Sequence, residues 1–255
     1  LEREGAGQDF TPDIITKAKE WFDASTEDDR DALVGAIMAG LPGAYDRYDV
    51  ASMKEALKLY SGIERDDIRN NYARFLAEVI PAAHDLGMRF AVHPDDPPRD
   101  IFGLPRVVSN ADDIAWIFDQ QKTVENGLTL CAGSLGANPA NNVPAIAREF
   151  SERIHFAHLR NVTKDADGSF EEAAHLEGDT DMVELVSVLL GEEKARQDEG
   201  RADWEVVWRP DHGHEILSDI GSGTHPGYPL VGRLRGLAEM RGVIKALSHP
   251  NVQFS

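Results

Sequence analysis

The sequence contains one cysteine, Cys131, so no disulfide bond can form within the chain. A lone cysteine is most often a small, buried apolar residue. Cys131, however, ends the apolar run 128–130 and precedes a Gly-Ser turn. This position makes a functional thiol a stronger alternative than it is for most lone cysteines. The cysteine alone does not decide between a buried apolar residue and a functional thiol.

Long apolar runs and basic residues are also scarce. No stretch approaches the ~20 apolar residues that a membrane-spanning helix needs. Acidic residues number 45 and basic residues 26, which gives a net charge of −19. Such a surface repels nucleic acid and anionic membranes, so we expect neither as a partner. Because no secretory signal is evident, we expect a cytoplasmic protein.

Residues 10–87 show the signals of helices. Thr11-Pro12 is typical of a helix start, since threonine caps the first turn and proline is tolerated within it. An apolar stripe at helical spacing, which begins at Ile68, is terminated by Gly87. The four predicted helices run from 12 to about 22, from 25 or 26 to 40, from 49 to 60, and through the stripe to 87.

Residues 88–250 repeat a strand–loop–helix pattern four times. Alternation of this kind indicates a parallel sheet with crossover helices. The predicted strands are 88–93, 128–133, 154–160 and 204–210, and the helices are about 110–126, 142–151, 180–199 and 230–247. A closed (β/α)8 barrel needs eight strands, so we predict an α/β, single-domain TIM-barrel fragment. Its other strands either lie within residues 10–87 or belong to a segment missing from this chain.

Each of the four predicted strands has a residue that can bind a metal at or near its carboxyl end. These residues are His93, Cys131, His158 and Asp211. Parallel α/β barrels build their active sites from the carboxyl ends of their strands. Nitrogen, sulfur and oxygen ligands together suit Mn²⁺, Fe²⁺ or Zn²⁺. The long separations exclude a zinc-finger knuckle and match one ligand from each βα unit.

Residues near these strand ends are candidates for catalysis and substrate binding. His212 directly follows a proposed ligand and suits proton transfer near neutral pH, whereas we expect His214 to face solvent. Arg99 and Arg106, in the loop 94–106, suit bidentate contacts with a substrate carboxylate. The alternative for both arginines is an ordinary proline-rich surface loop.

The polar loop 161–180 offers three further candidates. His175, Glu177 and Asp179 are candidates to face the site. Alternatively, Asp179-Thr180 only caps the helix that follows.

Several of these segments together resemble the mannonate dehydratase family, and the similarity extends over essentially the whole chain. Five segments carry most of it: 91–98 (Ala-Val-His-Pro-Asp-Asp-Pro-Pro), 103–106 (Gly-Leu-Pro-Arg), 158–160 (His-Leu-Arg), 172–179 (Glu-Ala-Ala-His-Leu-Glu-Gly-Asp) and 209–214 (Arg-Pro-Asp-His-Gly-His). Segments 39–44 and 232–239 fit as well. The resemblance implies a (β/α)8 barrel that dehydrates D-mannonate to 2-keto-3-deoxy-D-gluconate in hexuronate breakdown.

The resemblance also implies a set of site residues. The family's metal ligands fall on His93, Cys131, His158 and Asp211, and bind Mn²⁺ or another divalent ion. Its catalytic pair falls on His212 and, in the following loop, Tyr228. For Arg99, Arg106 and His175 we expect contacts with the sugar acid.

Three expectations concern the chain as a whole. Family members carry well over a hundred residues before the position of Leu1, so we expect the first barrel strands to be missing. We also expect a homo-oligomer, a dimer. The alternative functions are a metal-dependent sugar isomerase on the same barrel and an inactive metal-binding fragment.

Overall fold

The structure is a computed structural model, and it describes residues 6–8, 10–39, 49–166 and 168–250. The chain divides into two compact units. One comprises residues 1–64 and 100–105, and the other comprises residues 65–99 and 106–255. The segment 10–87 that the sequence predicts to be helical is therefore shared between the units rather than forming one body.

The described residues of the first unit form three α-helices, which confirms the helices predicted for this part of the chain. They are α1 (Pro12–Ala24), α2 (Glu27–Ala39) and α3 (Val50–Lys58). The Thr11 hydroxyl accepts a hydrogen bond from the Ile14 amide, and Asp49 and Ser52 cap the start of α3 reciprocally. The predicted helix end at Gly40 lies outside the described residues.

The second unit is built on a parallel sheet of four strands in the order β1-β2-β3-β6. The strands of the unit are β1 (Phe90–Val92), β2 (Asn126–Cys131), β3 (Ile154–His158), β4 (Asn161–Lys164), β5 (Phe170–Ala173) and β6 (Val207–Arg209). All four predicted strands are confirmed. Among the described residues β1 and β6 are the edges of this sheet, so a closed barrel is not seen and stays a prediction.

Helices pack with the sheet around one apolar core. They are α4 (Arg65–Asp85), α5 (Ala111–Gln120), α6 (Ala132–Gly136), α7 (Val143–Glu149), α8 (Met182–Asp198) and α9 (Leu230–Leu247). The fully buried core side chains include Leu76, Ile114, Leu128, Leu130, Ile154, Leu185 and Met240. Burial of these side chains is the main force that stabilises the unit. No helix in the described ranges is long and apolar enough to cross a bilayer.

The fifth helix ends earlier than the sequence predicts. We expected it to continue to about Asn126, but it ends at Gln120 and β2 already begins at Asn126. The buried Asn126 amide donates to the carbonyls of Ile117 and Gln121. These hydrogen bonds satisfy carbonyl groups that have no partner within the helix, so the helix can end at Gln120 and the strand can begin at Asn126.

The segment after β3 is not the polar loop that the sequence predicts. Strands β4 and β5 form an antiparallel hairpin, with Asn161 opposite Ala173. Gly168 adopts a φ of 85° in the connection, which favours a glycine. Val162 is fully buried, and the Asn161 side chain donates to the carbonyls of His175 and Thr180. The hairpin matters for function because β5 carries Glu172.

Candidate active site

Three of the four predicted metal ligands lie together at the carboxyl end of the sheet. His93 follows β1, whereas Cys131 and His158 are the last residues of β2 and β3 and are paired in register. One ligand atom from each of the three lies within 4.8 Å of the other two. Cys131 and His158 are buried, and His93 is exposed. The parallel register thus brings residues that are distant in sequence to one point.

The donors of this group suit a divalent cation. His93 Nδ1 lies 2.6 Å from the Pro94 carbonyl oxygen, which can only accept, so Nδ1 carries the proton. The unprotonated Nε2 then faces His158 Nδ1 at 3.2 Å. Two ring nitrogens at this distance need a proton or a cation between them. Two imidazoles and a thiol can bind a divalent ion, and this donor set suits Fe²⁺ or Zn²⁺ in particular.

Asp211 lies beside the group without belonging to it. Its Oδ2 is 3.5 Å from His158 Nδ1, and its carboxylate is buried. Oδ1 has Arg209 Nη2 at 2.7 Å as an ion-pair partner, yet the geometry does not make a hydrogen bond. The backbone φ of Asp211 is 69°, a conformation that costs a non-glycine residue about 1–3 kcal/mol. A buried carboxylate on a strained backbone is typical of a functional position.

Two glycines allow the loop after β6 to lie directly on α9. A Cβ built at Gly213 would come within 2.8 Å of the Gly232 carbonyl carbon. A Cβ at Gly232 would meet the His214 carbonyl oxygen at 1.9 Å. Backbone contacts of this kind cannot relax by a side-chain rotation. They fix the position of the segment that carries Asp211 and His212.

This contact makes a prediction that two alanine variants of the same helix can test. We expect Gly232→Ala to lower the free energy of unfolding by about 1–3 kcal/mol, because the new methyl group collides with backbone atoms. We expect Gly242→Ala, where no atom lies within 4 Å of the added Cβ, to raise it by roughly 0.5–1 kcal/mol. Urea unfolding of both variants measures the difference. Equal stabilities would contradict the close approach of the loop to α9.

The predicted catalytic residues His212 and Tyr228 are in contact. His212 Nε2 lies 3.1 Å from the Tyr228 hydroxyl, and the ring centroids are 4.8 Å apart. On its other side, His212 Nδ1 lies 2.7 Å from Glu172 Oε1. Burial, together with the negative charge of Asp211, raises the pKa of Tyr228. The phenol therefore keeps its proton at neutral pH and can donate it to a neighbouring acceptor.

The Glu172 carboxylate is itself held by Arg160. Arg160 Nε donates to Glu172 Oε2 at 2.9 Å, and Nη2 lies 2.6 Å from Oε1. Arg160 Nη1 also pairs with Asp96. Burial would raise the pKa of Glu172, but its hydrogen bonds from His212 and Arg160 hold this pKa below the usual value. The carboxylate is consequently charged and can only accept hydrogen bonds.

Neither Arg160 nor Glu172 was assigned a role from the sequence, although both lie in the segments that resemble the family. The signal that could have identified Arg160 is its place two residues after a buried strand, where a buried arginine requires an acidic partner. Glu172 could not be found in this way, because its position depends on the β4–β5 hairpin, which the sequence did not reveal.

The two candidate arginines have partners close to them in the chain or in the hairpin. Arg99 Nη1 donates to the Gly168 carbonyl at 3.1 Å. Arg106 Nη1 lies 3.6 Å from Asp95 Oδ1, and Nη2 lies 3.4 Å from the Asp96 carbonyl. These contacts do not test whether either arginine binds a substrate, so that role stays a prediction.

His175 is buried rather than open to the site. Its Nε2 lies 2.9 Å from the Pro210 carbonyl oxygen, and its ring fills the space where a Cβ on Gly236 would lie. It thus supports the residue before Asp211, and its contact with a substrate stays a prediction. His214 is exposed, as expected, but its Nε2 also lies 2.8 Å from the Glu172 carbonyl oxygen.

The acidic candidates of the same segment make local contacts. Glu177 lies 3.6 Å from Arg235, and Asp179 accepts hydrogen bonds from the amide and the ammonium group of Lys164. The following helix is capped by Asp181, whose carboxylate accepts the Glu184 amide. The prediction that Asp179-Thr180 provides this cap is therefore wrong, because the helix starts two residues later.

The comparisons with known proteins agree on one family. Residues 16–253 match the family model described as D-mannonate dehydratase (UxuA). The mannonate dehydratase of Rhizobium meliloti (strain 1021) is 48% identical over 98% of this chain and 63% of its own length, and that of Saccharophagus degradans is 46% identical over 97% and 62%.

A solved structure adds a similarity of fold. The crystal structure of mannonate dehydratase from Streptococcus suis serotype2 matches with a TM-score of 0.69 and 32% sequence identity, over 86% of this chain and 59% of that one. The chain thus spans somewhat less than two thirds of the length of these relatives. Its motifs, its parallel sheet and its matched residues place it in the D-mannonate dehydratase family.

Proposed function

We propose that the protein dehydrates D-mannonate to 2-keto-3-deoxy-D-gluconate and water, as a step of hexuronate breakdown. The observation that carries the proposal is the convergence of two features in a chain of this family. His93, Cys131 and His158 form a cation site, and the acid–base pair His212–Tyr228 follows the strand next to it. Four parallel strands with crossover helices are compatible with a (β/α)8 barrel, which we propose as the complete fold.

We assign the metal site to His93, Cys131 and His158, with Asp211 as the fourth ligand. Mn²⁺ is our first choice of ion, and Fe²⁺ or another divalent ion is the alternative. When bound, the ion supplies Lewis-acid stabilisation of the negative charge that develops on the substrate. The Asp211 carboxylate supports the assignment, because it is buried and its Oδ2 lies 3.5 Å from His158 Nδ1, where a cation would stabilise the buried negative charge.

The contacts of His212 and Tyr228 indicate how they divide the proton transfers. The ionised Glu172 accepts a hydrogen bond from His212 Nδ1–H, so Nε2 carries the lone pair and accepts a hydrogen bond from the Tyr228 hydroxyl. We therefore propose that His212 Nε2 removes the C2 proton of the substrate. Tyr228 then protonates the C3 hydroxyl, which leaves as water, and the resulting enol rearranges to the 2-keto product.

The remaining assignments complete the proposal. Arg99 or Arg106 orients the substrate carboxylate, since guanidinium groups bind carboxylates in a bidentate manner. His175 is proposed as a substrate contact from its place in the segment 161–180, which follows β3. A cytoplasmic location suits Cys131, because a reducing compartment preserves a free thiol. A homodimer is proposed on the family resemblance alone.

An assay of the full-length protein with D-mannonate tests the function. We expect a 2-keto-3-deoxy acid to form, formation to stop after treatment with a chelator, and added Mn²⁺ to restore it. Conversion between an aldose and a ketose would instead indicate a sugar isomerase. Stoichiometric metal without turnover would indicate an inactive metal-binding protein, and both results would contradict the proposal.

A further inference from the structure

We infer that Glu172, held in place by Arg160, is a positioning residue that fixes the orientation and tautomer of the His212 imidazole. The inference rests on the proposed function, since it concerns the histidine to which we assign the removal of the C2 proton. Neither Glu172 nor Arg160 belongs to the metal site or touches the reacting atoms in this assignment. The effect of Glu172 on the reaction would pass through His212.

The contacts around the His212 imidazole favour one ring orientation and one tautomer. Glu172 Oε1 lies 2.7 Å from Nδ1, and the Tyr228 hydroxyl lies 3.1 Å from Nε2 on the opposite side of the ring. An ionised carboxylate can only accept a hydrogen bond, so it selects the tautomer with the proton on Nδ1. The lone pair of Nε2 is then directed toward Tyr228. A flipped ring would direct a ring carbon toward Tyr228, and the other tautomer would direct an N–H proton there.

Two contacts between the β4–β5 hairpin and the loop after β6 keep Glu172 opposite His212. The first is the carboxylate–imidazole bond itself. The second joins His214 Nε2 to the Glu172 backbone carbonyl at 2.8 Å, so two side chains of the loop reach the same residue of β5. An exposed ion pair alone contributes little to stability, so the second contact to the same strand matters. The double contact restricts translation of the strand relative to the loop.

Arg160 restricts the remaining freedom of the carboxylate. Its guanidinium takes both Glu172 oxygens in a fork arrangement, which prevents the carboxylate from rotating. The arginine is almost completely buried, and Gly133 provides the space for it, because a Cβ there would lie 2.4 Å from Arg160 Cδ. A glycine at position 133 is thus required for the Arg160 side chain to occupy this position.

The same arginine links this support to the metal site. Arg160 Nη1 pairs with Asp96 Oδ2, and the Ser134 hydroxyl lies 3.2 Å from that oxygen and 3.1 Å from Cys131 Sγ. A continuous set of contacts therefore leads from the proposed thiolate ligand through Asp96, Arg160 and Glu172 to His212. The acid–base pair and the metal site are thus connected by one network of side-chain contacts.

Glu172→Gln tests the inference because glutamine keeps the shape of the side chain but can donate its amide proton to Nδ1. We expect kcat to fall by about a hundredfold or more, while KM and the bound metal stay unchanged. Glu171→Gln is the matched control, since it removes the same charge from the adjacent, exposed position of β5. We expect this control to retain the kcat of the wild type.

A second measurement, on the wild-type protein, does not depend on the fold of a variant. Nitrogen NMR of ¹⁵N-histidine-labelled protein should show His212 as the neutral tautomer protonated at Nδ1. Protonation at Nε2 alone, or an unchanged kcat in Glu172→Gln, would overturn the inference while the dehydratase assignment stands. A wild-type protein that does not dehydrate D-mannonate would overturn the proposed function, and the NMR result would then decide the positioning separately.

Discussion

Replacing Tyr228 by phenylalanine is expected to stop dehydration while the exchange of the C2 proton with solvent continues. The variant lacks the hydroxyl that we assign to protonate the leaving C3 oxygen, but keeps His212 Nε2 as the acceptor of the C2 proton. We expect kcat for product formation to fall on the order of 10²–10⁴-fold, the usual contribution of a positioned acid or base. Incubation in D₂O should still deplete the C2 proton signal of D-mannonate.

The His212→Gln variant is the counterpart. It loses the imidazole whose Nε2 lies 3.1 Å from the Tyr228 hydroxyl, so we expect both dehydration and C2 exchange to disappear. If instead Tyr228→Phe loses the exchange and His212→Gln retains it, the two residues have the opposite roles from those proposed here. Thermal unfolding provides the control for folding, and the half-exposed position of Tyr228 favours an unchanged stability of its phenylalanine variant.

The sequence predicted the strands that carry the site better than it predicted the contacts around it. Buried parallel strands appear as short apolar runs, and a residue such as Cys131 at the end of a run must lie at the carboxyl edge of the sheet. This reasoning placed His93, Cys131 and His158 side by side before any distance was known. It depends only on local periodicity and on the parallel register, which are properties of consecutive residues.

The supporting residues depend on long-range contacts that no local pattern encodes. The β4–β5 hairpin is short, and its outward positions carry charged side chains, so it resembles a polar loop in sequence. Its formation decides that Glu172 meets His212, forty residues away in the chain. The left-handed backbone of Asp211 was equally hidden, since non-glycine residues rarely adopt it and only the packed loop enforces it.

The second large effect concerns the metal. We expect the wild-type protein to retain one Mn²⁺ or comparable ion per chain, and the Cys131→Ser and Asp211→Asn variants to lose most of it. A partner that only supports a ligand is worth about 10–100-fold in metal affinity, so the loss of a ligand should exceed that range. Elemental analysis after dialysis measures the bound ion directly.

Ser134→Ala provides the graded comparison. The Ser134 hydroxyl lies 3.1 Å from Cys131 Sγ and supports the thiolate without being a ligand itself. We therefore expect Ser134→Ala to weaken binding within the range for a supporting partner and to keep the ion at high metal concentration. If Ser134→Ala lowers the metal affinity as much as Cys131→Ser does, or more, the sulfur does not bind the ion.

Asp211 decides how many ligands the site has. Within the described part of the chain, the group whose ligand atoms lie within 4.8 Å of one another consists of His93, Cys131 and His158, and Asp211 Oδ2 lies 3.5 Å from His158 Nδ1. A bound cation would attract the buried carboxylate, whereas the ion pair of Oδ1 with Arg209 Nη2 at 2.7 Å opposes its movement. If Asp211→Asn keeps the ion and Cys131→Ser loses it, three residues suffice. Undiminished, stoichiometric Mn²⁺ in both variants would remove the proposed ligand set altogether.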